Sequence, residues 1–223
     1  MRKLVVYAAM AVVTLSFFSG CATMSTTRAG NDVLLSNDAP TIVVVGGMFG
    51  SDRALLKEFQ KGIPGSVSVL PNRVLPLSTA ADEVLRQIRE DLGITGKVIL
   101  VAGSWAGLIA RRIDATNPGL VTAIITVGTP TGGYPAFVNS FFFGTGDENS
   151  DTPLYIIASD GDWVVSPKSA LDLGQRKISD QKVFSGIGHF GLFRSSEVTQ
   201  TILGWVQKET VKRETKALVF VNK

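Results

Sequence analysis

Short apolar runs recur along the chain from Thr41 onward, at Thr41–Val45, Ser66–Leu70, Lys97–Val101, Val121–Val127, Leu154–Ala158 and Gln181–Phe184. Most are rich in Val and Ile, and their lengths are those of strands buried on both faces. Between them the period changes to that of a helix. Ala81, Val84, Leu85, Ile88 and Leu92 form one stripe, with Ser78 or Thr79 predicted as N-cap and Gly93 just past the end. Val198, Ile202, Trp205 and Val206 form another behind the capping candidates Ser195 and Ser196. Alternating strands and helices predict an α/β fold, with an open, mostly parallel sheet of about six strands flanked by helices. Residues 131–152 fit neither period. They hold Gly132-Gly133, the run Phe141-Phe142-Phe143 and a polar stretch to Thr152, which predict a small cap or loop. Ala217 to Val221 is β-like but isolated, so residues 214–223 are set apart as a C-terminal tail.

The N-terminus has a pattern of its own. Met1-Arg2-Lys3 is basic, Leu4 to Phe18 is apolar, and Ser19-Gly20 precedes Cys21. These are the three parts of a secretory signal. The apolar run is broken by Tyr7, Thr14 and Ser16 and falls short of the ~20 residues that a spanning helix needs. Phe18-Ser19-Gly20-Cys21 resembles the lipobox of bacterial lipoprotein precursors, with Phe18 where leucine is usual. That resemblance implies cleavage before Cys21, lipidation of Cys21, and a mature protein anchored to the cell envelope. Ala22 after the cysteine implies the outer membrane if the cell is Gram-negative. Residues 21–40 are small and polar and read as a tether, leaving residues 41–213 as the domain.

Composition narrows the picture. At 223 residues and 45% hydrophobic content, the chain can bury one core, with too little left over for a second domain. Cys21 is its only cysteine, so no intramolecular disulfide can form. Removing the signal takes Arg2 and Lys3 with it, leaving 20 basic against 19 acidic residues. Without a basic run there is no electrostatic footprint for nucleic acid. No His/Cys/carboxylate set has metal-ligand character, and no metal or other cofactor is expected. The domain is expected to act as a monomer.

The candidate chemistry lies in three loops. Val98 to Arg111 reads as a strand, a tight turn and a helix start, with Ser104 at the turn and the small residues Ala102 and Ala106 two positions to either side. The single histidine of the chain, His189, lies in the Gly-rich loop Gly186 to Gly191, between the last strand and the C-terminal helix. Ser159-Asp160-Gly161-Asp162 follows the penultimate strand and offers two carboxylates. A serine hydroxyl is a poor nucleophile without an adjacent base, and the base needs a carboxylate to orient it.

Together these loops resemble the α/β-hydrolases, specifically the small lipases and esterases with a G-x-S-x-G nucleophile elbow, with alanine at both outer glycine positions here. The order Ser104, acid, His189 is that family's order. Its pattern of an aspartate followed by valines matches Asp162 better than Asp160, which stays the alternative. The resemblance spans roughly residues 41–210 and implies an oxyanion hole from two backbone N–H groups. One is that of Trp105. The other, in the loop Val45 to Ser51, is that of Met48. Gly128-Thr129-Pro130-Thr131 is similar to the family's G-T-P loop, with Thr131 where histidine is frequent.

Met48, Phe49, Trp105, Trp163 and Phe190 lie beside these groups in sequence, and an apolar lining suits acyl chains. The expected activity is hydrolysis of lipid or short-chain acyl esters through an acyl-Ser104 intermediate. A thioesterase or acyltransferase would use the same residues, and a non-catalytic envelope scaffold would keep the fold without the chemistry.

Overall fold

The computed structural model describes residues 27–28, 39–46, 53–71, 76–132, 150–173 and 176–221, without the side chains of 27–28, 53–54 and 213–221. The signal sequence, Cys21, Met48, Phe49, the run Phe141 to Phe143 and nearly all of the expected cap lie outside the described residues.

Seven strands form one sheet: β1 (Thr27–Arg28), β2 (Thr41–Val45), β3 (Val67–Val69), β4 (Val98–Gly103), β5 (Val121–Val127), β6 (Leu154–Ser159) and β7 (Asp180–Phe184). Their spatial order is β1-β3-β2-β4-β5-β6-β7. The last six in sequence are the six expected from the apolar runs, and they pair in parallel throughout. The seventh is a short addition that no apolar run marks. Thr27 and Arg28, inside the expected tether, pair antiparallel with Ser68 and Val67 at the sheet edge.

Helices cover both faces: α1 (Arg53–Lys61), α2 (Leu77–Arg86), α3 (Ala106–Thr116), α4 (Pro167–Leu171), α5 (His189–Leu192) and α6 (Ser196–Val221). Side chains alternate along a strand, so β4 divides its own between two cores. Val98, Leu100 and Ala102 pack with Val84, Ile109 and Ile113 of α2 and α3. Ile99 and Val101 pack with Phe59 of α1 and with Val198 and Ile202 of α6. A strand with no solvated face has few polar positions, so β4 reads as an apolar run, and the two threonines of β5 are buried with their hydroxyls donating to Val98 O and Tyr155 O.

The helix ends differ from expectation in two places. Pro76 occupies the N-cap of α2 and Leu77 opens it, so Ser78 and Thr79 lie inside the helix. A π-helical turn, Gln87–Asp91, continues α2, and Gly93 follows with φ 65°, as a helix stop requires. The second difference is the tail: α6 continues to Val221, so the β-like stretch Ala217 to Val221 is helical. Ser195 behaves as anticipated, its Oγ accepting from Val198 N at 3.4 Å.

Candidate active site

The site forms where the parallel strands end. Ser104 follows β4 immediately, and its φ is 52°, the one non-glycine residue among those described with positive φ. A left-handed backbone costs an L-residue roughly 1–2 kcal/mol, and the surroundings hold it there. Ser104 N donates to Val127 O on β5 at 2.8 Å, and Ser104 O accepts from Gly107 N at 3.1 Å as α3 begins. The serine is thus pinned between a strand end and a helix start.

The alanines flanking the elbow have a structural explanation. Close approach falls one residue later than the outer glycine positions on each side, at Gly103 and Gly107. A Cβ on Gly103 would overlap the ring of Phe193, and a Cβ on Gly107 would overlap the side chain of Thr129. Ala102 and Ala106 are fully buried in the α2–α3 core, where a methyl group fits. Neither constraint was visible in sequence, because Phe193 and Thr129 are distant along the chain.

His189 opens α5 and is 1% exposed. Its Nδ1 lies 2.7 Å from Asp162 Oδ2 and its Nε2 3.1 Å from Ser104 Oγ. The other oxygen of Asp162, Oδ1, accepts from Val164 N and Val165 N, both at 2.8 Å. Those two bonds fix the carboxylate rotamer and leave Oδ2 to accept from Nδ1–H. That tautomer leaves the Nε2 lone pair free for the serine proton. The valines two and three positions after the aspartate therefore matter through their backbone N–H groups.

Asp160 has a different task. Its Oδ1 accepts from Gly186 N at 2.6 Å and its Oδ2 from Ser185 Oγ at 3.0 Å. These bonds, the one to Gly186 N first, hold its carboxyl below the usual carboxylate range. Asp160 thus ties down the loop that carries His189, while Asp162 makes the contact with the imidazole. Gly161 lies against Gly186 so closely that a Cβ would meet its backbone carbon at 2.5 Å.

Aromatic edges complete the setting of the imidazole. Phe190 and Phe193 approach it nearly perpendicularly, at centroid distances of 5.6 and 5.7 Å. Phe193 also makes an edge contact with Phe59 of α1. Gly128 after β5 has φ 56°, and a Cβ there would touch Asp162, His189 and Leu192 at 3.2 Å, so the G-T-P loop walls the relay on one side. Thr129 beside it is 1% exposed, and its hydroxyl makes no hydrogen bond to the described residues.

The expected apolar lining divides. Trp105 is 1% exposed and packs in the α2–α3 core, so its side chain is a core residue and not part of a lining. Trp163 is 76% exposed and Phe190 38%, each next in sequence to a member of the Asp162–His189 pair. Among the described residues, no group of three or more His, Cys, Asp or Glu could hold a metal ion.

No protein-family model and no curated protein matches the sequence. Solved structures do. MGS-M2, an alpha/beta hydrolase enzyme from a Medee basin deep-sea metagenome library, superposes with a TM-score of 0.58 at 15% identity, covering 83% of this chain and 93% of its own. A thermophilic esterase from Thermogutta terrifontis gives 0.60 at 16%, covering 84% and 93%. A monoacylglycerol lipase from Paleococcus ferrophilus gives 0.60 at 13%, covering 84% and 100%. At these identities the likeness is one of fold: the chain has the α/β-hydrolase fold.

Proposed function

We propose that this protein is a serine hydrolase that cleaves carboxylic esters through an acyl intermediate on Ser104. The observation that carries the reading is the unbroken hydrogen-bond relay from Asp162 through His189 to the strained elbow hydroxyl. Ser104 Oγ attacks the acyl carbonyl and its proton passes to His189 Nε2, while Asp162 stabilises the imidazolium. The N–H of Trp105, with that of Met48 as the second donor, receives the oxyanion. His189 then returns the proton to the departing alkoxide. In the second half-reaction it deprotonates the water that releases the acid.

An esterase and a lipase among the solved structures of this fold support esters as the substrate class. The aromatic residues around the site suit an acyl chain, lipid-derived or short. The lipobox-like Phe18 to Cys21 supports a signal peptide over residues 1–20 and a lipid anchor on Cys21 at the cell envelope, with residues 41–213 as the hydrolase domain. The test is a panel of p-nitrophenyl acyl esters of increasing chain length, with wild type and Ser104→Ala side by side. The proposal expects turnover by the wild type only. Equal hydrolysis by both, or none by a folded wild type across the panel, would overturn it.

A further inference from the structure

We propose that Thr131 and Ser169 are positioning residues for the relay: the joint between them holds the backbone donors that aim the Asp162 carboxylate. The inference rests on the reading of Ser104, His189 and Asp162 as the catalytic relay, and adds what keeps the acid in place.

The rotamer of Asp162 depends on the N–H groups of Val164 and Val165, which donate to Oδ1. Such donors fix a carboxylate only as firmly as their own backbone is fixed. Val165 leads directly into Ser166, the N-cap of α4, whose Oγ accepts from Ser169 N at 3.2 Å. α4 has five residues, and a helix so short does not hold itself together in water. Ala170 and, just beyond the helix, Leu173 seat it in the α2–α3 core. Apolar burial is non-directional, so it does not set how far α4 sits along or around its axis. Thr131 and Gly132 supply the directional bonds. Thr131 N and Thr131 Oγ1 both donate to Ser169 O, at 3.2 and 2.5 Å, and Ser169 Oγ donates to Gly132 O at 2.6 Å. The approach is close: a Cβ on Gly132 would lie 2.8 Å from Asp172 Cβ.

The other end of the same loop reaches the relay. Gly128 N donates to Ile157 O on β6 at 2.9 Å, and a Cβ on Gly128 would touch Asp162 Oδ2 and His189 Cε1 at 3.2 Å. The loops after β5 and β6 therefore close a circuit. It runs from Asp162 through Val165 to α4, crosses the Ser169 joint to Thr131, and returns through Gly128 to the carboxylate and the imidazole. The joint's hydrogen bonds are made between the two loops, so it acts on Asp162 through Val164 and Val165. Thr131, where histidine is frequent in the proteins this loop resembles, thereby gains a task.

The chain has one histidine, so magnetic resonance of protein grown on nitrogen-labelled histidine reports His189 alone. The wild type should show one imidazole N–H proton, on Nδ1, far downfield and slow to exchange with water. Thr131 and Ser169 are half-buried, and both variants should fold, as circular dichroism would show. Thr131→Val and Ser169→Ala should each move the signal upfield and hasten its exchange. Each should also lower kcat and kcat/KM for ester turnover together by about ten- to a hundredfold, as small misplacements of catalytic groups do. The double variant should lose little more than the worse single, and Thr131→Ser, which keeps the hydroxyl, should restore both readings. Tyr155→Phe, which loosens the fold away from the circuit, should leave the signal in place. An unmoved signal with wild-type turnover in both folded variants would overturn the proposal and leave the relay standing. An equal shift in Tyr155→Phe at equal loss of stability would also overturn it, by making the effect one of general loosening. A wild type without the Nδ1 proton, or without labelling of Ser104 by a fluorophosphonate, would sink the relay itself and the proposal with it.

Discussion

At the carboxyl edge, Ser104, Asp162 and His189 are buried in a chain of hydrogen bonds that ends on a hydroxyl with no further acceptor among the described residues. Where α6 docks on the sheet, Tyr155 and Glu209 are also buried, but there the phenol donates to Glu209 Oε1 at 2.6 Å and Lys212 Nζ approaches the same oxygen at 3.3 Å. Trp205 Nε1 donates to Asp180 Oδ2 nearby and the indole lies against the Tyr155 ring at 5.1 Å. One region keeps its polar groups aligned for proton transfer under backbone strain. The other closes its polar groups on each other and holds a helix in place. Burial of ionisable groups thus marks a site only where the alignment leaves something able to react.

The largest expected break in this comparison is Ser104→Ala. It should lower kcat about 10⁴-fold or more while moving unfolding free energy by less than about 1 kcal/mol, read by ester turnover and urea denaturation on the same preparation. A comparable loss of stability would place Ser104 with the docking residues instead.

Gly103→Ala and Gly107→Ala come next, since they act on both quantities. Each new methyl group overlaps Phe193 or Thr129. Overpacking of this kind costs about 1–3 kcal/mol, and displacing the elbow should lower kcat with it. Thr129→Ala should recover part of both losses in the Gly107→Ala background. Failure of the double mutant to recover anything would remove Thr129 as the cause.

Tyr155→Phe should cost about 1–3 kcal/mol by removing the short bond from the buried phenol and leaving Glu209 the longer contact with Lys212 Nζ, with turnover unchanged. Burial, then the bond to Glu209, pushes the Tyr155 phenol up from its ordinary 10.0. A folded-state pKa above the unfolded value means that this stabilisation is complete below about pH 10 and is lost as pH rises toward the folded value. Denaturation midpoints followed above pH 10 should therefore fall more steeply in the wild type than in Tyr155→Phe.

The smallest effect is expected at Asp160. Its depressed pKa stabilises the fold above the ordinary carboxylate value of 3.8, and that contribution is lost as pH falls through the lower folded value. Asp160 is exposed, so Asp160→Asn should flatten the acid limb of stability slightly and leave neutral-pH turnover close to wild type. A large loss of turnover would show that the Gly186 loop needs the charge.

β2, β4, β5 and β6 were legible because burial fills them largely with Val, Ile, Leu and Ala, whereas β7, an edge strand exposed from Asp180 to Val183, wrote only a short and mixed run into the chain. The three loops were legible because nucleophile, acid and base each need a residue type that few positions supply, and the chain has one histidine to place. What stayed hidden depends on partners remote in sequence. β1 is two residues long and is defined by the free edge of β3, not by its own composition. Ala217 to Val221 has strand-like residues, but it continues a helix already nucleated at Ser196, and continuation adds a hydrogen bond per residue without a new nucleus. Pro76 excludes Ser78 and Thr79 from the cap by opening the helix earlier. Trp105 sits beside the nucleophile in sequence and turns its side chain into the core, a direction set by the strained turn itself.

The claim on which the rest depends is that the hydroxyl of Ser104 is activated by His189. Its most direct measurement is peptide mass spectrometry after brief exposure of the folded protein to a fluorophosphonate, repeated with His189→Ala. The account predicts a single stoichiometric adduct on the peptide carrying Ser104, lost in His189→Ala. An adduct on another residue, or equal modification of Ser104 without the imidazole, would contradict it.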